Sequence, residues 1–107
     1  MSLKIANAWL EREHVGFSDI HEFASQCRDA AVVAGRESAA LVLLAESATV
    51  FTERYEGIAI SVGTVDEFLS EIRLEAKVLK EASGVSDTAL LEALNAFSVK
   101  LAPTIFV

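Results

Sequence analysis

Glu22-Phe23-Ala24-Ser25-Gln26-Cys27-Arg28-Asp29-Ala30-Ala31-Val32-Val33 is answered, 45 residues later, by Glu67-Phe68-Leu69-Ser70-Glu71-Ile72-Arg73-Leu74-Glu75-Ala76-Lys77-Val78, with six identities in twelve positions. Cys27 is aligned with Ile72, and Ile20 just upstream with Val65. With a slip of one residue the echo extends from Leu44, Glu46 and Phe51 to Leu90, Glu92 and Phe97. A period of this length marks a supersecondary unit used more than once, and the simplest unit here is a helix pair. Two similar αα-hairpins, over 18–56 and 64–102, are the expectation that follows.

Upstream of the first copy, residues 3–14 read as a helix with Ile5 and Trp9 four apart on one face, broken by His14-Val15-Gly16-Phe17. Asp19 and Glu22 have capping-box spacing, with Ser18 the neighbouring cap candidate. Ile20, Phe23, Ala24, Cys27, Ala31 and Ala34 then keep one face up to a C-terminal cap at Gly35. The helix expected over about 37–56 is apolar around most of its circumference. Leu41, Leu44, Ala48, Phe51 and Tyr55 form one stripe and Ala39, Leu43 and Val50 an adjoining flank, with Glu46 and Glu53 on the wettest side. A helix with two apolar faces is central in a bundle or lies at an oligomer interface. Gly57 to Gly63 is short, β-branched and framed by glycines, and reads as a buried crossover.

The second copy opens on a capping box, Thr64 and Glu67, and its core stripe is clean: Val65, Phe68, Leu69, Ile72, Ala76 and Leu79 fall within about 100° of arc. Leu74 and Val78 point away from that stripe. Ser83-Gly84 is expected to end this helix and Ser86-Asp87 to start the last, whose face is Leu90, Leu91, Leu94, Phe97 and Leu101 and which Pro103 stops. The sum is a single all-α domain over 1–107. A four-helix up-and-down bundle of two similar hairpins with the N-terminal helix packed across it is the leading arrangement, and a compact irregular five-helix domain the alternative.

At 107 residues such a domain buries over ~60% of its unfolded surface, enough for a core without disulfides or metals. Apolar residues make up 52% of the chain, above the ~45–50% usual in soluble domains, although only five residues are Gly. A small monomer has little interior for that excess, so self-association is expected. Nine basic and sixteen acidic side chains leave a net charge of −7. Such a field repels phosphate backbones and anionic headgroups, so neither nucleic acid nor a membrane surface is an expected partner, while a basic protein is admissible. Cys27 is the one cysteine, which precludes an intrachain disulfide and suits a reducing interior. The N-terminus lacks the basic-then-apolar pattern of a secretion signal, and the longest apolar run, Ala39 to Ala45, is far below the ~20 residues of a membrane span. The expected location is cytoplasmic.

Chemistry-bearing patterns are sparse. Glu11 and His14 have the Glu-x-x-His spacing of bundle metal centres, but such a centre needs a second copy, and His21 has Ser18 where Glu is required. No metal ligand is therefore expected, and His14 reads as a helix end, where an imidazolium favours the negative pole of the dipole. Cys27, between Phe23 and Ala31 on the stripe, reads as a small core residue rather than a nucleophile. No serine lies in a nucleophile turn, and phosphate, dinucleotide and calcium loops are missing. The expectation is no catalytic residue, no cofactor and no enzyme.

Glu67, Glu71 and Glu75 run down one flank of the fourth helix, and Arg73, Lys77 and Lys80 down the other. A solvated face accounts for this, and so would docking of a complementary partner. Arg28 and Arg73 hold equivalent repeat positions; they read as structural ion pairs with neighbouring helices, a paired anion site being the sharper alternative. The leading functional expectation is a helical interaction protein that forms a homodimer through Leu43, Val50, Leu74 and Val78, with the apolar tail residues Ile105 and Phe106 adding to the surface. The alternatives are a small acidic binder of a basic protein, of the immunity-protein, antitoxin or secretion-chaperone kind, and a bundle with a small-molecule or metal site.

Overall fold

In the computed structural model the described residues are 2–105, and for Ile105 the backbone alone. They form an all-α structure of five helices: α1 (Leu3–Leu10), α2 (Phe17–Ala31), α3 (Ser38–Tyr55), α4 (Val62–Val85) and α5 (Asp87–Ile105), with a 3₁₀ turn at Gly35–Glu37. Hydroxyl caps fix two of the starts. Ser61 Oγ accepts from the Thr64 N–H at 3.2 Å to open α4, and Ser86 Oγ accepts from the Ala89 N–H at 3.0 Å to open α5. Gly35 and Gly57, at φ +64° and +73°, follow α2 and α3 in the left-handed region, where a Cβ would be strained.

α2 lies along α3 and α4 along α5, while α1 packs on α4. The common element is α3, which touches α1, α2, the 3₁₀ turn, α4 and α5. That position explains a sequence with so little polar face: Ala40, Leu41, Leu44, Ala45, Ala48 and Phe51 are buried, and Leu43 and Tyr55 pack half-buried on the same core. The three alanines let neighbouring helices come close, since interaxial distance follows side-chain size at the contact. α1 adds Leu3, Ala6 and Leu10, and its Trp9 ring lies 4.9 Å from Phe23 of α2.

The turn before α3 clasps the far ends of three helices. Arg36 donates to the Ser83 carbonyl near the end of α4 (3.1 Å) and to Asp87 Oδ1 at the start of α5 (2.7 Å). Glu37 accepts from the Leu3 N–H at the start of α1 (3.1 Å) and from the Ser83 hydroxyl (2.7 Å). A cation at the carbonyl end of α4 and an anion at the amide end of α1 each meet the favourable pole of a helix dipole.

Several local expectations are corrected. α1 ends at Leu10 rather than residue 14, because Arg73 takes the Leu10 carbonyl (2.6 Å) and relieves the chain of continuing. Its buried face is Leu3, Ala6 and Leu10, leaving Ile5 half exposed. α2 starts at Phe17, so Asp19 is its third residue, reaching back to the Gly16 N–H at 2.8 Å. Its last helical residue is Ala31, and Gly35 opens the 3₁₀ turn instead of capping the helix directly. Residues 57–63 are no buried crossover: Ile58 and Val62 are exposed, and Ser61 has already begun α4. Ser83 and Gly84 stay helical because Ser83 is held by Arg36 and Glu37, and the stop comes at extended Ser86, φ −170°. Pro103 lies inside α5, in the last turn, where the loss of one N–H is tolerable. Leu91, 100° round the helix from Leu90, is exposed.

A groove between the third, fourth and fifth helices as candidate functional site

An open groove of about 630 Å³ lies between α3, α4 and α5, within the ~300–1,000 Å³ of ordinary binding sites. Its floor is apolar: Phe51 from α3, Phe68 and Ile72 from α4, Phe97 and Leu101 from α5. Phe51 and Phe68 stack across the α3–α4 gap with ring centroids 4.2 Å apart and planes 15° from parallel, and Tyr55 and Phe17 extend the cluster at 5.1 and 6.1 Å from Phe51. Such ring contacts are worth about 0.5–1.5 kcal/mol each beyond the area they bury, so the floor is stiff.

The rim is polar and unevenly charged. Glu67, Glu71 and Glu75 descend one wall, and Arg54 and Lys100 stand across from them. Lys100 Nζ lies 2.8 Å from Glu75 Oε1, a contact that holds the ammonium above the ordinary lysine range. Glu67, Glu71 and Arg54 have no ion-pair partner among the described residues. The five charged lining residues sum to −1, and the rest of the negative charge nearby lies outside the lining. Residues 47–75 hold six acidic side chains (Glu53, Glu56, Asp66, Glu67, Glu71, Glu75) against Arg54 and Arg73, a net −4 of the −7, while 76–107 sum to zero.

No family model, no curated protein and no solved structure matches the chain.

Of the residues singled out as an interaction surface, Val50 and Leu74 line this groove, Leu74 at its outer edge and 62% exposed. Val78, one turn along α4 from Leu74, is 43% exposed. Leu43 is turned inward, packed half-buried on the core, and its neighbour Val42 is the exposed valine of α3. The two differ by one 100° step, which helical periodicity read without the helix's neighbours does not resolve. The Ile105 side chain and Phe106 lie outside the described residues. What the sequence reading missed is the groove itself. Its floor residues belong to separate core stripes, and nothing in a one-dimensional pattern says that the three stripes border one groove.

The two repeat arginines are used differently, so they form no paired anion site. Arg28 Nη2 donates to Thr49 Oγ1 (2.7 Å) and Glu46 (3.3 Å) on α3, the ion pair to a neighbouring helix that was expected. Arg73 makes none; its guanidinium donates to the Leu10 and Arg12 carbonyls past the end of α1. It thereby takes the helix-end role assigned to His14, which sits exposed at φ +59° beyond the helix, 4.0 Å from Glu13. Burial pushes the Cys27 thiol up to about 12, against a small opposing pull from Arg28, which disarms it as a nucleophile near neutral pH. Among the described residues no three or more His, Cys, Asp or Glu side chains gather as a metal site, and no helix is long and apolar enough to cross a membrane.

Proposed function

We propose that this protein is a non-enzymatic, cytoplasmic helical interaction module that associates with itself as a homodimer through the outer face of α4. The observation that carries the reading is the exposed pair Leu74 and Val78, one turn apart on the side of α4 turned away from its own core. With Val85 two further turns on, also exposed, they form an apolar line along a helix that a small monomer has no need to present to water. Val50 on the facing helix continues that surface into the groove.

The test is the solution mass by light scattering coupled to size exclusion, at low and high salt, for the wild type and Leu74→Lys/Val78→Glu. A contact built on these residues gives a wild-type dimer indifferent to salt, and a variant that is a folded monomer of unchanged helicity. A wild type that is monomeric throughout, or a variant that stays dimeric, removes the proposal.

A further inference from the structure

From the charge on its walls and the shape of its floor, we propose that the α3–α4–α5 groove docks a basic amphipathic helix of a partner protein. The groove shares Val50 and Leu74 with the self-association surface, but the docking of a basic helix rests on Glu67, Glu71 and Phe68 inside it. The wall of α4 from Thr64 to Glu75 is about 16 Å long, three turns. An incoming helix of that length offers anchors at i, i+3 or i+4, and i+7, the pattern by which amphipathic helices fill grooves. Of the apolar lining, Val50, Tyr55, Phe68 and Leu74 keep accessible surface for that face, over a floor of Phe51, Ile72, Phe97 and Leu101 that is itself buried. Glu67 and Glu71, both exposed and without an ion-pair partner among the described residues, stand where the flanks of such a helix would pass. Glu53, Glu56 and Asp66, exposed and close in sequence to the lining, add to the negative field, while Arg54 offsets one of the two lining acids that Lys100 leaves unmatched. Lys100 is already matched by Glu75, Arg73 is turned to α1, and Arg54 alone remains. Complementary charge of this kind speeds association and selects among partners, while the apolar floor supplies the hold.

The probe is a synthetic Leu/Lys peptide of about four turns with leucines on one face, titrated by fluorescence anisotropy. Expected are micromolar binding, at least tenfold weakening between physiological and high salt, and at least tenfold weaker binding by two control peptides. One control replaces Lys by Glu, and the other keeps the charge but replaces the leucines by serine. Glu67→Gln/Glu71→Gln should lose about tenfold with an unchanged melting curve. Asp29→Asn/Glu92→Gln, which removes the same charge from exposed sites outside the groove, should stay within twofold. Absence of Leu/Lys binding, equal binding of either control peptide, or equal losses in the two double variants would overturn the proposal. So would binding that appears only in Leu74→Lys/Val78→Glu, because a second copy then owns the groove.

Discussion

Replacing Arg73 and Arg28 by alanine, one at a time, separates two side chains that hold the same position in the repeat. Arg73 is half-buried in the α1–α4 contact and gives its Nε to the Leu10 carbonyl at 2.6 Å and its Nη2 to the Arg12 carbonyl at 3.4 Å. A hydrogen bond from a charged group contributes about 1.5–3 kcal/mol, and a cation at a helix C-terminus about 0.3–1 kcal/mol. The second contact is long and exposed, so a combined loss of about 2 kcal/mol is expected. Unfolding entropy near the midpoint is about 2.1 cal/mol/K per residue, hence about 0.22 kcal/mol/K for this chain, and the loss becomes about 9 °C in Tm. Arg28 sits in a pair that is open to water on both sides, with Glu46 at 3.3 Å. Its removal should cost about 0.5 kcal/mol, or about 2 °C. Far-UV circular dichroism melts and urea titrations at one fixed protein concentration measure both. Trp9 emission, reporting the seat of α1 against Phe23, should shift to the red in Arg73→Ala only. Equal losses for the two variants, or an Arg73→Ala loss under about 0.5 kcal/mol, would refute the assignment of Arg73 as the cap of α1.

Gly84→Ala should raise stability by about 0.5–1 kcal/mol, measured by urea titration, because Gly84 lies in α4 with nothing within 4 Å of an added Cβ. A loss would mean that the last turn of α4 is not helical in solution. The buried Cys27 thiol, raised from 9.0 to about 12, makes an alkaline prediction. The unfolded chain releases this proton near pH 9 and the folded chain holds it, so its contribution to stability is whole below about pH 9. It falls towards pH 12 by up to about 1.4 kcal/mol per unit. Wild type minus Cys27→Ala should show that slope, and parallel curves would contradict it. Phe51→Ala removes the ring stacked on Phe68 and should cost about 3–5 kcal/mol by denaturant titration; a cost under about 1 kcal/mol would mean the floor is not packed as described.

The sequence carried the helices and most of their buried faces, because 3.6-residue periodicity is a local property. Ile20, Phe23, Cys27, Leu41, Leu44, Ala48, Leu69, Ile72 and Leu79 are buried as their spacing requires. Where the reading failed, a distant residue decided a local outcome. α1 stops where Arg73, 63 positions away, meets its carbonyl, and α4 passes through Ser83-Gly84 because Arg36 and Glu37, 47 and 46 positions away, hold Ser83. Residues 57–63 misled for the opposite reason, since an apolar composition reads as burial while Ile58 and Val62 lie in water. The groove was invisible because its lining comes from three helices that are separate in the sequence. Its acids were in the sequence, from Glu53 to Glu75, but one net charge for the whole chain does not place them.

The place of α3 against every other element bears on how the molecule opens. Helices at the periphery, such as α1, can detach while the rest persists, and their amides should exchange with solvent through partial opening. The amides of α3 have no such route, because exposing them means removing all the neighbours that cover them. Nor can the chain be cut between its two similar halves into pieces with cores of their own. A fragment holding α2 and α3 would bare the face of α3 that meets α4 and α5, and the complementary fragment would lack its inner wall. A sequence that looks like two units is therefore built to unfold as one, with its slowest-exchanging protons near the middle of the chain.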